Sequence, residues 1–113
     1  MTETAREQII DEVTSWPGVE AGPGRRGEFA FRVGGREIGH LHSSHAAHFA
    51  FPKQLWRDLR EQERIGPHPF FPDHEGLGAR RIETDSDIRD VIELLRLNYD
   101  RTTTRDGAPP KAA

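Results

Sequence analysis

Apolar positions recur with two different periods along this chain, and the switches between them mark its elements. Ile9, Ile10, Val13 and Trp16 lie at helical spacing, so residues 4–15 read as an amphipathic helix. Pro17 disfavours the helical conformation at Trp16 and Gly18 permits a turn, which ends the helix; Val19-Glu20-Ala21 can add a short strand. From Glu28 to Val33 the period drops to two. Gly34-Gly35 then separates this run from a second one, Arg36 to His42, and two such runs joined by Gly-Gly predict a hairpin. His48-Phe49-Ala50-Phe51 reads as a third strand. Pro52 suits the first position of a helix over 52–63, with Leu55, Trp56 and Leu59 on one side. Residues 65–72 are rich in proline and aromatics and read as an irregular loop, and the stretch 76–82 holds a fourth short strand. Thr84 and Asp87 stand in capping-box spacing before a helix over 86–100, whose buried stripe is Ile88, Val91, Ile92, Leu95 and Tyr99. The order α-β-β-β-α-β-α predicts an α+β fold, an antiparallel sheet of about four strands with helices packed on one face. Residues 1–101 form the expected single domain. Residues 102–113 lack periodicity and are expected to be a disordered tail.

The hairpin also predicts a register. With Gly34 and Gly35 as the turn, Val33 faces Arg36, Phe31 faces Ile38 and Phe29 faces His40. His40 and His42 then share a face with Phe29, Phe31 and Ile38, and a one-residue slip would reverse this. Arg32 across from Glu37 reads as a surface ion pair. His48 is expected on the face away from Phe49 and Phe51, and His45 in a loop.

Composition narrows the function classes. The chain has 113 residues and no cysteine, which excludes disulfides, thiolate metal sites and cysteine nucleophiles. Its formal net charge is −3, without the basic surplus expected of a non-specific nucleic-acid binder. The pairs Arg25-Arg26 and Arg80-Arg81 read as solvated surface. No apolar run approaches a membrane span, and the N-terminus lacks the pattern of a secretory signal, so a cytoplasmic location is expected. The expected partner is a small-molecule ligand, with no nucleic acid and no membrane.

Four of the six histidines, His40, His42, His45 and His48, fall within nine positions. Histidine titrates nearest neutrality and serves as acid, base or metal ligand there. His40 and His42, two apart on a strand, can point at one zinc ion, which needs a third ligand from His48, His68, Asp73 or His74. Alternatively, burial keeps an imidazole neutral and makes it a general base. His68 joins the pair from the proline-rich loop, where Phe70 and Phe71 can wall a pocket and Asp73 can supply a polar contact. The catalytic candidates are therefore His40, His42 and His68. Phe29, Phe31, Ile38, Phe70, Phe71 and Asp73 are the ligand-binding candidates. No cofactor is expected, zinc on His40 and His42 being the alternative. Purely structural or pH-responsive histidines in a binding module give a second reading.

Five segments carry a resemblance. They are Gly35-Arg36-Glu37-Ile38-Gly39-His40-Leu41-His42, Phe51-Pro52 opening a helix, His68 followed by Pro72, Arg81-Ile82, and Leu94-Leu95-Arg96-Leu97-Asn98-Tyr99. Together they resemble the small luciferase-family domain found in fungal luciferases and in many bacterial proteins, over residues 13–101. In relatives a Ser-Gly-Trp-like segment follows the loop proline; here His74-Glu75-Gly76-Leu77-Gly78 has no tryptophan. Fungal luciferases oxidise a hydroxylated α-pyrone with molecular oxygen, using neither metal nor flavin. The resemblance implies a cofactor-independent oxygenase, or a related enzyme, acting on a small enolic, aromatic-like compound.

Overall fold

The computed structural model describes residues 4–105. Helix α1 (Ala5–Thr14) leads into strand β1 (Val19–Pro23). Strands β2 (Phe29–Val33), β3 (Arg36–His42) and β4 (Ala46–Ala50) follow. Helix α2 (Lys53–Glu61), strands β5 (Gly66–Pro67) and β6 (Leu77–Arg81), and helix α3 (Asp85–Arg105) complete the chain. The strands form one antiparallel sheet in the order β1-β2-β3-β4-β6-β5. The α+β class is as expected. The two further strands are the edges: β1 extends the Val19-Glu20-Ala21 segment, and β5 is two residues of the proline-rich loop paired with β6. Helix α3 continues to Arg105, four residues past the domain boundary expected at 101, so 102–105 are helical; residues 106–113 lie outside the described residues. Among the described residues no helix is long and apolar enough to cross a membrane.

Local chemistry explains the helix starts. Thr4 and Glu7 close a capping box on α1. On α3 the Asp87 N–H donates to Thr84 Oγ1 (3.1 Å), and the Thr84 N–H donates to Asp87 Oδ2 (3.0 Å), as the sequence spacing predicts. Asp87 also accepts from Arg80 (2.7 Å), a guanidinium shared with Asp90, so Arg80 is bound rather than solvated surface. Helices α1 and α3 pack on each other and cover one face of the sheet. Phe31, Val33, Ile38, Leu41, Ala47 and Phe49 meet Val91, Leu94 and Leu95 in the core between them. Trp56 ties α2 to the sheet by donating to the Leu77 carbonyl (2.8 Å).

The hairpin register differs from the expected one, and the difference places the site. The turn is as predicted: Gly34 and Gly35 both take positive φ (59° and 80°), and Val33 faces Arg36. Arg32 then faces Glu37, but Phe31 faces Gly39, Ala30 faces His40 and Phe29 faces Leu41. Ile38 is the extra residue of a β-bulge. Ile38 and Leu41 are both buried in the core, yet they are three positions apart, and an uninterrupted strand cannot turn both to one face. The bulge resolves this conflict and reverses the strand beyond it. His40 and His42 therefore leave the face of Phe29, Phe31 and Ile38 and stand on the opposite one, with Ala30. Gly39 is needed at this point because a Cβ there would lie 2.5 Å from Leu95 Cδ2 and 3.2 Å from Phe49 Cδ1.

Candidate active site

On the face away from α1 and α3 the sheet gathers four imidazoles. His40 and His42 come from β3, and the short turn through Ser43 sets His40 opposite His48 of β4. Because Ala47 and Phe49 enter the core, His48 between them points to the other side. His68 arrives just after β5. His48 is the centre of the group: its ring centroid is 5.1 Å from that of His40, 5.2 Å from His42, which stacks on it, and 4.6 Å from His68. These rings cover most of it, and His48 is only 4% exposed.

The hydrogen bonds assign the protons. Glu37 Oε2 lies 2.7 Å from His40 Nδ1, and an ionised carboxylate only accepts, so Nδ1 carries a hydrogen. His40 Nε2 lies 3.3 Å from His48 Nδ1. With His40 neutral, Nε2 accepts from the His48 Nδ1–H, and His48 Nε2 is left with its lone pair. Among the described residues no buried side-chain nitrogen or oxygen lacks a partner, and His48 Nε2 has no hydrogen bond to protein, so this atom reaches solvent. His68 has the complementary form. Its Nδ1 accepts from the Phe70 N–H (3.2 Å), which leaves the hydrogen of the neutral ring on Nε2.

Electrostatics hold the central ring neutral. Burial first, and then electrostatic interaction with His40, His68 and His42, lowers the His48 pKa to about 4. Burial first, then His40, His42 and His74, also lowers that of His68. Backbone N–H groups hold the Glu28 carboxyl below its usual range.

The pocket over these rings has a volume of about 430 Å³, within the range of small-molecule sites. His40, His42, His48 and His68 form its floor, Phe70 and Phe71 (66% and 50% exposed) stand beside it, and Arg25, Arg26 and Arg32 line it with Glu28, Glu37 and Leu77. Of the residues singled out from sequence, His40, His42, His68, Phe70 and Phe71 meet here. Phe31 and Ile38 do not: both are fully buried core residues on the other face, for the register reason given above, and Phe29 packs against that core. Asp73 is exposed and does not line the pocket. Glu37, expected to pair with Arg32, instead binds His40; Arg25 and Arg26 are exposed, as expected, and also stand at the edge of the pocket. His48, named from sequence as a possible third zinc ligand and not among the catalytic candidates, is the ring paired with His40. A three-residue turn after His42 is the signal that would have set it opposite His40. Glu28, Glu37 and His40 each offer one ligand atom within 4.8 Å of the others, so a cation would find His40 grouped with two carboxylates, not with His42.

An α+β sheet with helices on one face and an imidazole pocket on the other defines the class of this domain. A family model of the luciferase domain matches residues 35–98, more than half of the chain, and the chain belongs to the luciferase domain family. Comparison with curated proteins and with solved structures returned no match.

Proposed function

We propose that this chain is a small-molecule enzyme that removes a proton from an enolic or phenolic compound and delivers the anion to molecular oxygen. The observation that carries the reading is the relay of Glu37, His40 and His48 beside a neutral His68. A buried imidazole with a pKa of about 4 is alone a weak base. The relay removes that difficulty. As His48 Nε2 takes the substrate proton, its Nδ1–H passes to His40 Nε2, and the positive charge settles on His40 against the Glu37 carboxylate. The His68 Nε2–H is a donor for the enolate oxygen, a fixed dipole aimed at developing charge. The electron-rich carbon then forms a C–O bond with oxygen, which is reduced to the peroxide level. The proton returns through His48 to the distal oxygen, so one substrate and one O₂ give one hydroperoxide.

Oxygen uptake with a panel of hydroxypyrones and catechols tests the proposal. Wild type is expected to consume oxygen, and His48→Ala and His40→Ala to be slowed by about 100-fold or more, as for loss of a general base. No uptake by wild type, or uptake by His48→Ala and His40→Ala as fast as that of wild type, would sink it. The exposed rings of Phe70 and Phe71 favour one second reading, a module that binds its ligand without turnover. Ligand-induced shifts of the imidazole resonances without oxygen uptake would select that reading.

A further inference from the structure

The arginines at the pocket point to the charge of what it takes. Arg25 and Arg26 lie on the turn between β1 and β2, and Arg32 lies on β2 beside Glu37 in the ladder. All three line the histidine pocket. Elsewhere Arg57, Arg64, Arg80, Arg81 and Arg96 each meet a carboxylate, and Arg6 and Arg60 lie over aromatic rings, whereas Arg36 and Arg89, like the pocket arginines, form no ion pair among the described residues. What sets Arg25, Arg26 and Arg32 apart is that they share one pocket. Among the described residues no carboxylate is within ion-pair distance of Arg25, Arg26 or Arg32, although two carboxylates share their pocket. Those two are engaged otherwise: Glu37 accepts from His40, and Glu28 accepts from the backbone N–H of Arg26 (2.9 Å). The turn itself is built. The Gly24 N–H donates to the Glu28 carbonyl (2.6 Å), the Gly27 N–H donates to the Gly24 carbonyl (3.2 Å), and Gly27 takes a φ of +85°. The Glu28 side chain lies over Gly24 so closely that any Cβ there would collide with it. The fold thus presents two guanidinium groups on an ordered turn and a third on the adjacent strand, none of them held in an ion pair, although the Glu28 carboxylate interacts electrostatically with Arg26.

We infer that the substrate is an anion, an enolic or phenolic ring that carries an oxyanion group, carboxylate by preference, held by Arg25, Arg26 and Arg32. Guanidinium forks match a planar carboxylate in two-point hydrogen bonds. A cavity of about 430 Å³ suits a single ring with such a substituent. The position of the ring over the imidazoles rests on the function proposed above; the arginine subsite does not.

The test compares salicylate with its neutral isostere salicylamide, and acetate with inorganic phosphate as competitors, by titration calorimetry and by the imidazole resonances. Salicylate is expected to bind about tenfold or more tightly than salicylamide, the worth of one charge-assisted contact. Added salt should narrow the difference. In the triple variant Arg25→Gln, Arg26→Gln, Arg32→Gln, with unchanged circular dichroism, the preference should vanish, whereas His48→Gln should keep it. Displacement by phosphate at lower concentration than by acetate assigns the rim to phosphate esters, and displacement by acetate assigns it to carboxylates; either supports an oxyanion subsite. Equal binding of salicylate and salicylamide, no salicylate binding at millimolar concentration, or a preference that survives in the triple variant overturns the inference. Oxygen uptake on neutral substrates would then still stand as a result about the histidines. A lost preference in the triple variant, with no uptake on any compound, would keep the subsite and remove the oxygenase.

Discussion

Acidification from pH 7 to 4.5 should destabilise this protein, and His48 should carry a separable share of the loss. Its ordinary pKa of 6.5 falls to about 4 in the fold because burial, and then electrostatic interaction with the neighbouring imidazoles, opposes protonation. The unfolded chain therefore binds a proton at this position below pH 6.5 while the folded chain does not. Stability is full above that value and is lost progressively as pH falls toward 4. At roughly 1.4 kcal/mol for each pH unit of difference, the loss between pH 7 and 4.5 has an upper bound of about 2.4 kcal/mol. Water reaches Nε2 and screens the charge, so about 1–2 kcal/mol is the expected share. In a domain of this size that corresponds to roughly 5–10 °C in melting temperature. Urea unfolding at the two pH values, for wild type and His48→Gln, isolates the contribution, because His68 and the carboxylates titrate in both proteins. Wild type should lose about 1–2 kcal/mol more than the variant over this interval. Parallel losses in the two would refute the argument, and with it the neutral His48 on which the relay depends.

Two substitutions test how the histidines are placed. Gly39→Ala sets a methyl 2.5 Å from Leu95 Cδ2 and should cost about 1–3 kcal/mol in denaturant unfolding; a variant as stable as wild type would show that the bulge does not pack as described. Asn98→Leu removes the donor to the Ile38 and Ala50 carbonyls (both 3.0 Å) and should cost about 2–4 kcal/mol by thermal or urea melts. A loss below about 1 kcal/mol would count against those bonds.

Elements governed by short-range rules were legible in the sequence. Gly34-Gly35 demands a two-residue turn because both residues take positive φ, and Thr84 with Asp87 announces a helix start because the two side chains satisfy each other's backbone. The facing of His40 and His42 was not legible from alternation alone, since a single extra residue reverses everything after it. The information was nevertheless present. Ile38 and Leu41 stand an odd number of positions apart with a glycine between them, and a sheet that must bury both has to bulge there. The same blind spot displaced Phe31 and Ile38 from the core to the site. It also left His48 without its partner, because His48 is placed by strand pairing across the Ser43 turn and not by its own neighbours. Glu37 was hidden differently. Its nearest opposite charge along the ladder is Arg32, and only the outward turn of His40 brings it a better partner.

The two segments that carry the family resemblance most specifically, 35–42 and 94–99, look unrelated in sequence, one a strand and the other part of a helix. In the fold they form one device. Leu95 occupies the space that a side chain at Gly39 would need, and Asn98 donates to the carbonyl of Ile38 and to that of Ala50, where β4 ends. Helix α3 thus clamps the bulge from the core side, and the bulge turns His40 toward Glu37 and His48 on the other. Tyr99 anchors the same turn of helix by donating to the Pro17 carbonyl (2.6 Å). Residues 94–99 therefore act on the pocket without entering it, through the register of β3. The family match, 35–98, contains this clamp and all four imidazoles, but Arg25, Arg26 and Arg32 precede it. The residues proposed for proton transfer and those proposed to set the charge of the ligand thus lie in different stretches of the chain. A change of the turn between β1 and β2 can alter the ligand while leaving the bulge, the clamp and the relay in place.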